Sequence, residues 1–143
     1  MKRKQKYSIS HLNNPVYEDL GDGKRVRLVQ PFMVFVDHDR LIVPEGFVSD
    51  LASVPWLFRR VLPRFGPWNA AAIVHDYLYR EGEINGRKIM QREADEIMLA
   101  VMKYNANVPR HKAYAIYIGV RLGGFAAWSR YSRQCVSFTH YWV

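Results

Sequence analysis

From residue 7 to 49 the apolar positions fall in short runs rich in β-branched and aromatic residues, broken by turn chemistry. That is the pattern of antiparallel strands joined by hairpins. Gly21, Asp22 and Gly23 mark one turn, after which Val26 and Leu28 alternate with Arg25 and Arg27. Residues 32–36 and 41–43 flank Asp37, His38 and Asp39, which predicts a second hairpin, and Pro44, Glu45 and Gly46 make a third turn. After Asp50 the period lengthens, with Pro55, Pro63 and Pro67 punctuating an irregular stretch. A first helix is predicted over 69–80, closed by Gly82 and by Asn85-Gly86. Met90, Ala94, Ile97, Met98, Val101 and Met102 recur at helical spacing as one apolar stripe, so a second helix is predicted over 88–104. A third begins near Pro109, suited to a first turn, and runs through Ala113, Ile116, Tyr117 and Val120 to the Gly123-Gly124 stop. The order predicts an α+β fold, with N-terminal antiparallel β-hairpins packed against three C-terminal helices.

The chain has 143 residues, 49% hydrophobic and 24% charged, which fits one globular domain and excludes a collagen-like repeat, a disordered chain or a disulfide scaffold. Within that domain, 7–49 is the β-rich part and 50–128 the loop and helical part. Residues 1–6, MKRKQK, read as a disordered basic terminus. The lone Cys135 excludes an intrachain disulfide and has no nucleophile signature around it. No apolar signal segment opens the chain, and the longest apolar stretch, 113–128, is broken by Arg121, Gly123 and Gly124. Neither secretion by that route nor a membrane span is expected. The charge of +8 admits nucleic acid, anionic lipid or acidic glycan as partner without choosing among them.

The densest polar feature is His75-Asp76-Tyr77-Leu78-Tyr79 on the first predicted helix. His75 and Tyr79 share a face at i, i+4, as do Asp76 and Arg80. Asp76 lies about 100° around the helix from His75, where it could ligate a metal at a cavity's edge while His75 acts as a base. The spacing equally allows a core-satisfied imidazole and phenol, with Asp76 paired to Arg80. On the second helix Arg92 can reach Asp95 or Glu96. If the two helices pack antiparallel, Asp95 comes close enough to fix a His75 tautomer. Asp50 and Ser53, at the boundary between strands and helices, are candidates for function or for capping a helical turn.

HExxH, a glycine-rich phosphate loop, CxxC and GxSxG are all missing, so zincin, nucleotide-binding and hydrolase-elbow readings lack their signatures. Arg59, Arg60, Arg64, Arg130 and Arg133 interleave with Trp56, Phe58, Phe65, Trp128 and Tyr131. Such a surface could stack bases and neutralise phosphates, and it also describes the rim of any basic, aromatic-rich domain.

The strings VPEGFVSDLASVPWLF, FGPWNAAAIVHDYLYREG, READEIMLAVM and AIYIGVRLGG, in that order over 41–128, resemble the phage and prophage domain-of-unknown-function family numbered 1353. The family's motif positions fall on Asp50, Ser53, Pro55, His75, Asp76, Tyr79, Arg92, Asp95, Arg121 and Gly123. The resemblance implies a phage-encoded protein at work in the bacterial host cytoplasm during infection or carried in the virion, with phage particle proteins or a host protein as partners. It supplies no activity. HDYLY followed by Asp95 also resembles the HDxxY motif and distal aspartate of phospholipases A2, especially the compact viral capsid type. That likeness implies His75 as the base, Asp76 as a calcium ligand, Asp95 as the orienting carboxylate and Tyr79 as a supporting donor. The multi-glycine calcium loop and disulfides of those enzymes have no counterpart here. The expectation is therefore a His75/Asp95 hydrolase of ester or acyl bonds, with Asp50 and Asp76 available for a divalent cation and Ser53, Arg92 and Arg121 in support. The competing expectations are a non-enzymatic particle component, whose polar cluster fixes helix registry, and a host-binding protein with a basic aromatic surface.

Overall fold

A computed structural model describes residues 6–11, 13–23, 25–50, 67–104, 108–124 and 128–129. Six strands come first: β1 (Ile9–His11), β2 (Tyr17–Asp19), β3 (Val26–Leu28), β4 (Phe32–Val36), β5 (Asp39–Val43) and β6 (Val48–Ser49). They form two three-stranded antiparallel sheets, ordered β1-β4-β5 and β2-β3-β6. Alternation explains the inward faces: Val26 and Leu28 are buried around exposed Arg27, and Phe32, Val34 and Val36 are buried in turn. The β4–β5 hairpin is tighter than the pattern predicts. Asp39 pairs with Val36, so the turn is Asp37-His38 alone, with Asp37 in the left-handed region at φ 55°. The Asp37 carboxylate accepts the Ser8 amide at 2.7 Å, which ties β1 to that turn.

The Pro44–Gly46 turn does not close a hairpin. It carries the chain from the first sheet to the second, where Gly46 N donates to Leu28 O (2.8 Å) and β6 pairs with β3. Local turn chemistry marks where the chain bends, and the partner of the next strand is chosen by the apolar face it has to cover.

The helical half holds α1 (Asn69–Glu81), a small hairpin of β7 (Glu83–Ile84) and β8 (Arg87–Lys88), α2 (Gln91–Tyr104) and α3 (Arg110–Gly123). α1 ends on Gly82, whose φ of 67° lies in the left-handed region that most residues with a Cβ enter only with strain, and whose amide donates to Leu78 O. Two boundaries differ from the sequence reading. Asn85 and Gly86 both have positive φ and close the β7–β8 hairpin, so α2 starts at Gln91 and Met90 stands outside the stripe, exposed. Pro109 is the extended N-cap of α3 at ψ 138° and lies just before its first turn.

α2 packs between α1 and α3, and β1 lies against α2. Phe32, Val34 and Val43 from the strands join Ile73, Val74, Leu78, Ile97 and Val101 from the helices in one apolar core. The protein is thus an α+β fold of small antiparallel sheets and three helices. Of the predicted basic terminus, Lys6 is described and pairs with Glu96 at 2.7 Å, and residues 1–5 lie outside the described residues.

Candidate active site

α1 and α2 run antiparallel, which brings two i, i+4 pairs face to face: His75 and Tyr79 from α1, Asp95 and Gln91 from α2. His75 Nε2 lies 2.7 Å from Asp95 Oδ1, and the Tyr79 hydroxyl donates to the same oxygen at 2.6 Å. Gln91 Nε2 donates to the Tyr79 oxygen at 3.3 Å. Arg121, from the last turn of α3, donates through a guanidinium nitrogen to Asp95 Oδ2 at 2.8 Å. Each carboxylate oxygen is thereby used, and the three helices meet on one residue that is 0% exposed. Asp95 is accommodated there because Arg121 supplies a countercharge at Oδ2 and two further groups hydrogen-bond Oδ1.

The carboxylate has only lone pairs to offer, so Nε2 is the ring nitrogen that donates to it, and in a neutral imidazole the lone pair then lies on Nδ1. His75 is 1% exposed, and its Nδ1 is buried with no hydrogen-bond partner among the described residues. A buried polar atom without a partner is uncommon in a finished core. Beside the ring lies a cavity of about 10 Å³, lined by Trp68, Ala71, Met98, Met102, Ile116 and Val120 among others. Its walls apart from His75 are apolar, and its volume is about that of one water probe. Burial first, and then the hydrogen bond to Asp95, push the Tyr79 phenol well above its usual range, so it remains a donor. The Tyr79 ring lies tilted against His75 with centroids 4.1 Å apart, and Trp128 meets Tyr79 edge-on at 5.2 Å.

Gly124 closes the cluster from the α3 side. A Cβ there would lie 2.5 Å from both the Tyr79 hydroxyl and the Val120 carbonyl oxygen. Gly124→Ala is expected to displace Tyr79 from Asp95 at a cost of about 1–3 kcal/mol, read by chemical denaturation. Loss of less than a few tenths would show that the helix end shifts freely.

A second polar group occupies the next side of α1. Asp76 Oδ2 accepts the Asp50 amide at 3.3 Å and meets Arg80 at 3.4 Å, and the Ser49 hydroxyl also bonds its carboxylate. Arg80 also donates to Val48 O at 2.8 Å and lies over the Phe47 ring, so this group fastens α1 to β6. Burial raises the Asp76 pKa above the ordinary 3.8, the nearby Asp50 charge adds to the rise, and Arg80 opposes it.

The structure therefore brings His75, Tyr79, Asp95 and Arg121 together and sets Asp50 with Asp76 in a separate group. Arg92 stands outside both: it is 71% exposed and pairs with Glu96 at 3.2 Å, so it does not touch Asp95. Ser53 and Pro55 lie outside the described residues, as does most of the arginine and aromatic surface apart from Trp128. Gln91 and Gly124 were missed. Gln91 could have been found as the residue four before Asp95, mirroring His75 and Tyr79, and Gly124 only from the fold. Calcium takes six to eight oxygen ligands. Among the described residues no group of three or more His, Cys, Asp or Glu side chains could hold a metal, and Arg80 already occupies Asp76. These residues alone do not make a calcium site.

An α+β domain whose helices converge on a buried Asp–His–Tyr–Arg cluster is the class that fold and site define. Residues 26–120 match the model of a protein family of unknown function, DUF1353, over more than half of the chain, and the protein belongs to that family. The matched span contains His75, Asp76, Tyr79 and Asp95 and ends one residue before Arg121. Comparison with curated proteins and with solved structures finds no match. Among the described residues no helix is long and apolar enough to cross a membrane.

Proposed function

We propose that the protein is a hydrolase of ester or acyl bonds in which His75 is the general base. The observation that carries this reading is the division of labour on one imidazole: Nε2 is held by a buried carboxylate, and Nδ1 is buried with no partner among the described residues. In the reaction Nδ1 takes a proton from water as its oxygen attacks the acyl carbon. The tetrahedral intermediate then collapses, and the proton passes from Nδ1 to the departing alkoxide. Asp95 fixes the tautomer and steadies the imidazolium, and Tyr79 and Arg121 keep Asp95 in place. The likeness of HDYLY and Asp95 to the phospholipase A2 motif supports an acyl ester substrate. The family resemblance supports a phage-encoded protein acting in the host cytoplasm or from the virion. Because His75 is 1% exposed, substrate reaches Nδ1 only when the structure opens on that side.

That closure favours a second reading, in which the cluster is a polar lock fixing the registry of three helices in a phage particle component. A panel of chromogenic esters of graded acyl length, together with phospholipid vesicles, separates the two. Turnover that His75→Asn abolishes supports the hydrolase, and no turnover of any of them by the folded wild type supports the lock.

Asp76 gives an independent test. Its folded-state pKa lies above the unfolded value of 3.8, so on raising the pH the unfolded chain loses this proton first and stability falls until the folded pKa is passed. The cost then persists at neutral pH. Asp76→Asn is expected to raise the melting temperature at pH 7, with the gain fading as the pH falls toward 3.8. A buried carboxylate with a raised pKa occurs both in ion-pair networks that fasten a fold and at sites with a function of their own. Calcium added to the same samples reports whether Asp76 binds a cation: it then stabilises the wild type and leaves Asp76→Asn unmoved.

A further inference from the structure

α3 carries two apolar faces. Ala113, Ile116 and Val120 are buried in the core, while Tyr114, Ile118 and Leu122 repeat at every fourth position on the opposite side, 40%, 55% and 83% exposed. Single exposed aliphatics are ordinary, but a stripe running along one helix is not. The helix that carries it is one-sided in charge, with Arg110, Lys112 and Arg121 and no Asp or Glu. No Asp or Glu follows Glu96 in the sequence, whereas Lys103, Arg110 and Lys112 do, and Arg121 is paired with Asp95. Arg110 and His111 are exposed at the start of α3, and the Lys103 ammonium lies 3.4 Å from the Tyr114 hydroxyl.

We propose that this face of α3 docks on an anionic lipid bilayer, with Ile118 and Leu122 entering the headgroup boundary while Arg110, His111 and Lys103 meet lipid phosphates. A bilayer offers apolar depth and negative charge over a continuous surface and requires no shape match. The other occupants fit less well. Ile118 and Leu122 give a nucleic acid neither stacking nor base-edge hydrogen bonds, which leaves one aromatic, Tyr114, to stack. A stable protein interface seats roughly 20–30 residues a side, far more than this stripe supplies. A second copy would set two basic, acid-free helices against each other. The proposal does not rest on the reading of His75.

The test is co-sedimentation of the full chain with vesicles of phosphatidylcholine alone and of phosphatidylcholine with phosphatidylglycerol. Binding is expected only where phosphatidylglycerol is present. The double variant Ile118→Ser, Leu122→Ser is expected to weaken it about tenfold or more at an unchanged melting temperature, because both side chains already face solvent. Arg110→Glu is expected to reduce the phosphatidylglycerol preference. No binding to either vesicle overturns the proposal, as does binding that the double variant retains. A dimer in sedimentation velocity that the same two substitutions dissolve assigns the stripe to a second copy and also overturns it. Binding of a single-stranded oligonucleotide, lost in the double variant while vesicles stay unbound, does the same for nucleic acid. His75→Asn leaves vesicle binding unchanged, so this proposal and the hydrolase reading fail separately.

Discussion

Asp95→Ala is expected to cost about 3–5 kcal/mol of folding stability, the largest effect of any single substitution in the cluster. The loss comes from what remains. His75 Nε2, the Tyr79 hydroxyl and one Arg121 nitrogen all donate to this carboxylate, and with it gone they are left unpaired around a void in the seam of three helices. For a domain of this size the melting temperature falls by roughly 10–15 °C. Asp95→Asn is expected to fall between wild type and alanine, because its carbonyl oxygen still accepts from His75 or Tyr79 while its amide now faces the Arg121 guanidinium. Urea unfolding of the three proteins checks both. If alanine costs under about 1 kcal/mol, the cluster does not fasten the helices together.

His75→Asn carries the second large effect, and on a different axis. Removing the base is expected to lower hydrolysis by about 10²–10⁴-fold while leaving a folded protein, because Asp95 keeps Tyr79 and Arg121. Its loss of stability is accordingly smaller than that of Asp95→Ala. This ordering separates the two readings of the cluster. In a catalytic site Asp95 dominates stability and His75 dominates rate. In a purely structural lock the two substitutions cost comparable stability and no rate is lost.

Much of the site could be read from spacing, because a helix fixes which side chains share a face. His75 and Tyr79 at i, i+4, and a carboxylate on the next helix, were enough to place three of the cluster's members. Arg121 stood only as a family motif position, since its partner lies 26 residues away and is set by how α3 crosses α2. Arg92 illustrates the opposite case. Its local geometry allowed either acid, and the buried acid was taken by a distant arginine, leaving Glu96 on the surface. The strands show the same division: their alternation and turns were legible, but the exchange of partners that pairs β1 with β4 and β3 with β6 is long-range and has no local signature. Asn85-Gly86 was read as a helix stop, although this pair between short extended residues is the strongest hairpin signal. The two-residue strands on either side were too short to show alternation.

The central claim is that Asp95 holds Nε2 and leaves Nδ1 of His75 as a free base. Nitrogen-15 NMR of the imidazole rings at neutral pH tests it without a substrate. His75 Nε2 is expected to carry the proton and Nδ1 to resonate as an unprotonated, pyridine-like nitrogen, a tautomer that Asp95→Asn disturbs. A protonated Nδ1 in the wild type, or a tautomer that Asp95→Asn leaves unchanged, would contradict it.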